Sequence, residues 1–400
     1  MYSASQPVAA HRPPLPRGPV LDWSSFQRVD APGVPSIESL AHTAFTTSGR
    51  AAIYQALLQL KLPAGSTVLV PTYHCPTMVA PVLLAQLEVA YFGLQPNGLP
   101  DLGSIPAELA NKSRAMLVSH YFGLANSLAD VRKWCDTHGI ALIEDCAHCY
   151  FGEAGDRTVG AWGDFSTASL SKFLPVPEAG LLASALHPIK PMNLTKPNLK
   201  AQVKGWVDVI ELATRYQRLA GIRPVLASLF KFKNARSPQA QAHTEATAPA
   251  PATNMMRDCD MDRIGQTPLW ASMALKSMLP RGRIIARRQR NFSRYIPYFV
   301  DTPGARPLFA NLPAAAERAA PYVFPLWVDK PEAVYQALRR MELPVFRWDR
   351  IWPGTPTIAG DVGLLWSHHV LQLLCHQDLD DADIDRTAQA ILQLLQNSSV

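Results

Sequence analysis

The stretch "SLSKFLPVPEAG", residues 169–180, sets a single lysine, Lys172, among Leu170, Phe173, Leu174 and two prolines. Lysine is ordinarily a solvated surface charge. Two readings fit this setting. The side chain snorkels from a loop to water, or it is held where its amine is neutral and nucleophilic. Locally the first is the more common outcome, so the decision rests on the rest of the chain.

Working outward, "IALIED" (140–145) is an apolar run ending in two carboxylates, and "STVLVP" (66–71), "RAMLVSHYFG" (114–123) and "GLLAS" (180–184) read as further strands. Helical spacing appears in "RAAIYQALLQL" (50–60), in "PTMVAPVLLAQL" (76–87) with Pro81 near its start, and in "SLADVRKWCDTHG" (127–139), capped by Ser127 and closed by glycine. Continuously apolar strands alternating with helices of this length predict an α/β protein with a mostly parallel central sheet covered on both faces. Ligands of such sheets bind beyond the carboxyl ends of the strands. That rule gathers Ser119, His120, Asp145 and the loop near Pro71 at one rim.

The organisation read from the sequence has four parts. Residues 1–35 form a proline-rich arm. Residues 36–232 form the large α/β domain. Residues 233–261 are a linker, low in complexity over 235–254. Residues 262–400 form a smaller α+β domain, with helical patterns over 262–299, a strand at 322–328 and helices at 331–343 and 382–396.

The chain has 400 residues, 48% hydrophobic and 18% charged, with a net charge of +6. This fits a folded enzyme-sized protein and excludes a disordered one. The basic run "RGRIIARRQRNFSR" is read as one helix face pairing with carboxylates, since no nucleic-acid motif accompanies it. Six cysteines form no disulfide framework, and the CxxC of Cys146 and Cys149 has no second pair to complete a zinc site, so no metal is expected. The N-terminal residues lack the apolar segment of a secretory leader, and no stretch reaches membrane-spanning length. A cytoplasmic protein with no membrane insertion and no nucleic-acid partner is the expectation.

Three features join Lys172. Asp145 ends an apolar strand and His148 follows it. Ser48 and Gly49 directly precede a helix, whose N-terminal N–H groups suit an anion. Each has a plain structural reading: a turn cap, a core histidine, an ordinary N-cap. Together they are the parts that hold pyridoxal 5'-phosphate: an amine for its aldehyde, a carboxylate for its ring nitrogen, and donors for its phosphate.

The wording resembles the DegT/DnrJ/EryC1/StrS family of pyridoxal-phosphate (sugar) aminotransferases over about residues 36–396. "IALIEDCAHCYFG" resembles the family's Glu-Asp-x-Ala-(Gln/His) strand end. "SLSKFLPVPEAGLLAS" resembles its Ser…Lys…Glu-Gly-Gly segment. "MLVSHYFGLANSLADVRKWC" and "LLCHQDLDDADIDR" resemble two further signatures. The resemblance implies a fold type I transferase in which Lys172 forms the Schiff base and shuttles the proton. It implies that Asp145 binds the pyridine nitrogen and His148 stands near the phenolic oxygen. Gly49 and Arg50 offer backbone N–H groups, and Ser169 a hydroxyl, to the phosphate. It implies a homodimer that moves an amino group from a donor, usually glutamate, to a keto group, typically of a nucleotide-linked deoxysugar in polysaccharide or secondary-metabolite synthesis. A different elimination or lyase reaction on a non-sugar substrate, and an inactive scaffold, are the alternatives.

The chain also departs from the pattern. The family's ring-stacking aromatic falls on Cys75 in "PTYHCPT", which leaves stacking to Tyr73 or His74. Glu178-Ala179-Gly180 replaces Glu-Gly-Gly, and Lys172 lies two residues closer to Asp164 than usual. The family asparagine directed at the neighbouring subunit's phosphate is not evident over 254–262. These departures mark a divergent branch. Arg281–Arg294 are expected near the subunit interface or near an anionic diphosphate.

Overall fold

The computed structural model describes residues 15–31, 33–222, 224, 252–310 and 312–397. Its strands are β1 (His42–Thr46), β2 (Thr67–Pro71), β3 (Glu88–Phe92), β4 (Ser113–Ser119), β5 (Ala141–Asp145), β6 (Glu153–Ala154), β7 (Arg157–Thr158), β8 (Phe165–Ser169), β9 (Gly180–Ser184), β10 (Ala305–Pro307), β11 (Val323–Val328), β12 (Val345–Phe346) and β13 (Val370–Leu374). Its described α-helices are α1 (Gly49–Leu60), α2 (Pro76–Leu84), α3 (Ala107–Lys112), α4 (Ala129–His138), α5 (Leu199–Arg215), α6 (Ala252–Asp258), α7 (Trp270–Met278), α8 (Arg281–Phe299), α9 (Leu312–Glu317), α10 (Pro331–Arg340), α11 (Gly363–His369) and α12 (Asp381–Asn397).

Seven strands form the main sheet in the order β1-β9-β8-β5-β4-β2-β3. From β3 through β8 every pairing is parallel, and β9 runs antiparallel to both β8 and β1. The mostly parallel sheet expected from the apolar strands is therefore present, with β9 as its single reversed strand. Alternation along the strands shows why both faces are covered. Leu69, Met116, Val118 and Leu142 enter one core, and Val68, Val70, Ala115, Leu117 and Ile143 enter the other. The second core is closed by α1 and α2 through Ile53, Ala56, Leu57, Val79 and Val82. The first includes Val131 and Cys135 of α4 and runs on into the small sheet, β10-β11-β13-β12, through Phe324, Leu326, Leu371 and Leu373. Successive side chains of a strand point to opposite faces, so a strand buried on both tends to read as a near-continuous apolar run.

Several sequence expectations differ in detail. Ser127 accepts the N–H of Ala129 at 3.3 Å, but the residue at the N-cap of α4 is Leu128. Pro81 lies inside α2 rather than near its start, and the helix stops at Leu84. The stretch over 262–299 holds two helices, broken at Leu279–Pro280. α6 occupies residues read as linker; of the rest of that segment, 233–251 lies outside the described residues and 259–261 follows the helix. Of the N-terminal arm, residues 1–14 also lie outside them. Residues from Leu15 on are docked on the C-terminal signature: Val20 N donates to Asp378 Oδ2 at 3.0 Å, and His376 Nε2 meets Pro16 O at 3.0 Å.

The basic run forms α8, and its arginines tie the molecule together. Arg281 pairs with Glu38, Arg283 with Asp378, Arg290 with Asp381, and Arg294 with Asp385. Arg287 donates to Leu379 O, and Arg288 is fully buried. The expected carboxylate pairing is present. Arg287 and Arg288, however, point inward to backbone and side-chain carbonyl groups rather than to an anion-binding surface.

Two buried histidines fix a pH dependence. Burial pushes His74 and His376 down to about 4. The unfolded chain, whose histidines titrate near 6.5, therefore takes up protons that the folded chain refuses. Their contribution to stability is complete above pH ~6.5 and is lost as pH falls toward 4, by about 3 kcal/mol for each site. Denaturant unfolding at pH 7.5 and pH 4.5 should show this loss, and His376→Asn should remove part of the slope. A flat profile would show that neither histidine is held neutral.

Candidate active site

A cavity of about 550 Å3 opens at the carboxyl ends of the parallel strands. β5 delivers Asp145 and, just past it, Ala147 and His148. β4 delivers Ser119 and His120. β8 delivers Ser169 and, through a short turn, Ser171 and Lys172. The start of α1 adds Ser48, Gly49 and Arg50. Asp145 and Thr167 are paired across β5 and β8, so Ser169 lies two residues beyond the strand position facing the aspartate.

The apolar neighbours of Lys172 anchor the turn that carries it. Leu170, Phe173 and Leu174 are fully buried, while Lys172 itself lines the cavity. The turn is held from behind. Arg288 Nη2 donates to Lys172 O at 2.6 Å, and Gln377 Nε2 donates to Phe173 O at 2.8 Å. Arg288 Nε donates to Gln377 Oε1 at 3.0 Å, and its guanidinium lies 4.4 Å from the centre of the Phe173 ring. The Lys172 amine stands 5.2 Å from the centre of the Tyr322 ring. Burial lowers its proton affinity, and the negative charge of Asp145 opposes that fall. Burial raises the Asp145 carboxyl, opposed chiefly by Lys172 and by the N–H of Ala147, which donates to Oδ1 at 2.9 Å.

His148 is 3% exposed and stacks on Tyr322 at 4.3 Å between centroids, with Trp348 at 4.7 Å. Its Nδ1 is buried without a hydrogen-bond partner, and burial, with Lys172, holds the ring neutral. A buried polar atom left unpaired is costly, so this nitrogen marks a place where a ligand acceptor or donor fits. At the opposite element, the Ser48 side chain caps α1 by accepting Ala51 N at 3.2 Å. Gly49 lies against Ser169: a Cβ on Gly49 would stand 3.4 Å from Ser169 Cβ. Gly180 permits the same closeness from β9, since a Cβ there would lie 2.1 Å from Ser48 O. The hydroxyls of Ser169 and Ser171 are 3.4 Å apart. Helix N–H groups and two hydroxyls thus face one wall, which suits a phosphate.

Two expected site residues are elsewhere. Tyr73 is fully buried in an aromatic cluster with Tyr121, Phe122, Trp348 and Trp366, and its hydroxyl accepts from Gln372 at 3.1 Å. His74 bonds Pro71 O through Nδ1 at 2.8 Å and accepts Trp352 N through Nε2 at 3.0 Å, which uses both ring nitrogens. Neither ring lines the cavity, so neither is in place to stack on a ligand there; Cys75 does line it. The other expected residues, Gly49, Arg50, Asp145, His148, Ser169 and Lys172, are brought together.

The sequence reading missed Tyr322, Trp348, Arg288, Asp260 and Arg263, which arrive from segments far along the chain. Glu178 holds Arg263 in a bidentate pair and also accepts Leu269 N at 3.0 Å. His120, Glu144 and Cys146 bring possible metal-ligand atoms within 4.8 Å of one another. Glu144, however, is spent on His120 and on the N–H groups of Gly160, Trp162 and Gly163. It reads as a clamp on that loop.

An open α/β sheet with one reversed strand, and a lysine facing a strand-end aspartate across a single cavity, define the fold type I architecture of pyridoxal-phosphate-dependent transferases. Residues 38–185 match the model of the DegT/DnrJ/EryC1/StrS aminotransferase family. Among curated proteins, a GDP-perosamine synthase of Vibrio cholerae is 26% identical over 183 residues, 44% of this chain and 50% of that protein. An L-glutamine:2-deoxy-scyllo-inosose aminotransferase of Streptomyces kanamyceticus is 28% identical over 42% of this chain and 40% of its own length. The chain thus spans half or less of the length of these relatives. Among solved structures, the aminotransferase TlmJ of Streptoalloteichus hindustanus superposes with a TM-score of 0.60 at 16% identity, covering 90% of this chain and 87% of its own. NtdA of Bacillus subtilis, solved with the cofactor PMP bound, gives 0.57 at 16% identity over 89% and 74%. At such identities these structures speak for the fold.

One backbone feature of the site is strained. Ala179 sits at φ +140°, a region that glycine occupies freely and alanine does not. Ala179→Gly relieves strain of about 1–3 kcal/mol, against about 1 kcal/mol of lost burial and added chain entropy. Thermal unfolding of A179G should show equal or higher stability. The same change at Ala168, a buried β8 residue of ordinary conformation, should lower it. Equal losses at both positions would contradict the strain.

Proposed function

We propose that the protein is a pyridoxal-phosphate-dependent aminotransferase. It would carry an amino group from an amino-acid donor, glutamate in the first instance, to a keto group of a nucleotide-linked deoxysugar. The observation that carries this reading is Lys172 and Asp145 on one cavity lined also by His148 and by the Ser48–Ser169 anion wall. Those residues fit the cofactor's aldehyde, ring nitrogen, phenolic oxygen and phosphate. The names of the relatives support the sugar acceptor, among them a UDP-N-acetyl-3-dehydro-alpha-D-glucosamine 3-aminotransferase of Acidithiobacillus ferrooxidans, 25% identical over 158 residues. The elimination and scaffold alternatives draw no support from those names.

Bound, the cofactor supplies an aldehyde for amine exchange and a ring that accepts the electron pair released at the donor's α-carbon. The chain's residues do the rest. Asp145 keeps a proton on the ring nitrogen, which in turn favours its own ionised form against the burial that opposes it. Lys172 Nζ would hold the aldehyde and, when freed by the donor amine, would hold and move the donor's α-proton as base and then as acid. A lowered proton affinity fits both tasks, because the amine is neutral nearer to neutral pH. Arg288 and Gln377 keep the lysine backbone fixed during this exchange. Tyr322, Trp348 and His148 wall the amine off from water.

In this reading residues 36–232 form the cofactor domain and 262–400 the small domain, and the enzyme works as a homodimer. A cytoplasmic location is part of the proposal, supported by six cysteines that are all unpaired. No described helix is long and apolar enough to cross a membrane.

The test is an absorbance titration. The protein with pyridoxal phosphate should show a band at ~410–430 nm that glutamate moves to ~330 nm, and Lys172→Ala should lack the band. A band that shifts only with glutamine would change the donor. A band insensitive to every amino acid would sink the transaminase reading, and no band at all the cofactor reading. Asp145→Asn removes the charge that opposes the fall in Lys172's proton affinity. The pH midpoint for cofactor capture should therefore move to lower pH, and a shift upward would contradict the pairing.

A further inference from the structure

Arg50 is the second residue of α1, and it departs from the other donors of that wall in carrying a charge. Its side chain is 26% exposed and lines the same cavity as Ser48, Ser169 and Ser171. The guanidinium is held by one residue, Asp260: Nε donates to its backbone oxygen at 2.9 Å, and Nη2 to Oδ2 at 2.8 Å. Asp260 is a poor holder. Its side chain is 67% exposed, and its backbone sits at φ +48°. An exposed ion pair of this kind contributes little. The second arginine of the cavity, Arg263, is bound differently. Glu178 grips it with both oxygens, is only 14% exposed and is itself fixed by Leu269 N, while Gln266 takes Arg263 Nε at 3.0 Å. Arg263 is part of the frame, and Arg50 is exchangeable. His148, whose Nδ1 is buried without a partner, lines the same cavity.

Resting on the cofactor reading above, we propose that the Arg50 side chain neutralises the cofactor's phosphate, exchanging the Asp260 carboxylate for it. A phosphate monoester brings nearly two charges and three acceptor oxygens beside a helix N-terminus, and arginine meets such groups with a planar fork. The Asp260 carboxylate then acts as a built-in competitor that occupies Arg50 when no phosphate is present. The role is specific to the phosphate: the ring, the aldehyde and the Lys172 linkage do not depend on it.

The experiment compares equilibrium binding of pyridoxal 5'-phosphate and of pyridoxal, which lacks the phosphate, to the wild-type chain, Arg50→Gln and Asp260→Asn. Inorganic phosphate serves as a competing ligand. Arg50→Gln should weaken pyridoxal phosphate by about tenfold or more and leave pyridoxal within about twofold. Asp260→Asn should tighten pyridoxal phosphate a few-fold, and make inorganic phosphate a stronger competitor. Arg50→Gln weakening both ligands alike, or neither, would overturn the proposal, as would Asp260→Asn weakening the phosphorylated ligand. A wild-type chain that takes up neither ligand would overturn the cofactor reading itself, a result distinct from lost discrimination between the two.

Discussion

The buried guanidinium of Arg288 is the constraint on which the site depends. It is fully buried, and its donors go to neutral acceptors: Gln377 Oε1, Pro321 O, Tyr322 O and Lys172 O. Burial of this charge pushes its proton affinity down to about 10. A cation taken from water is tolerated only when its hydrogen bonds are complete and well aligned. Each acceptor is therefore fixed in turn. Three of the four are backbone carbonyls from two segments, 172 and 321–322, which a single planar fork draws to one point. The lysine that reaches the cavity is placed by a residue that does not touch the cavity.

The remaining architecture supplies that point with a location and a charge balance. Parallel strands buried on both faces leave their carboxyl ends as the one place where polar groups can collect without entering a core. Asp145, Ser119 and Ser169 all sit there. β9, the reversed strand of the main sheet, brings Gly180 against the loop that begins α1 and so closes the wall beside Ser169. The amine and the carboxyl are both desolvated, and each moderates the other's tendency to lose charge. That mutual support explains how two ionisable groups share a cavity bounded by aromatic rings.

Much of this was legible in residue order. Asp145 could be read because an apolar strand ended on it, Gly49 because a helix pattern followed it, and Lys172 because those two features and His148 elsewhere in the chain gave its amine a context that its own neighbours did not. Other parts gave no local signal. β8, "FSTAS", is hydroxyl-rich and buried through its backbone pairing, so it lacks the apolar run of its neighbours. Tyr73 and His74 stand beside Cys75 in sequence, and only three-dimensional packing decides which of the three faces the cavity. Tyr322 and Trp348 lie 150 residues or more from Lys172, and their approach depends on the small sheet docking through a shared core. The α8 arginines could be assigned to ion pairs from composition. That one of them would be buried behind the lysine could not, since charge spacing carries no information about which face is covered.

The Gln377 half of the brace behind Lys172 joins the N-terminal and C-terminal described segments. Gln377 belongs to a segment whose neighbours, His376 and Asp378, are tied to Pro16 and Val20. During synthesis the ribosome releases β1 through β9, with every cavity-facing strand end, long before residue 377 emerges. Domains generally begin to fold in that order. The strands that face the cavity therefore precede both braces in synthesis, Arg288 first and Gln377 after it. The Gln377 amide therefore joins last: it adds the bonds to Phe173 O and to Arg288 Nε that complete the brace.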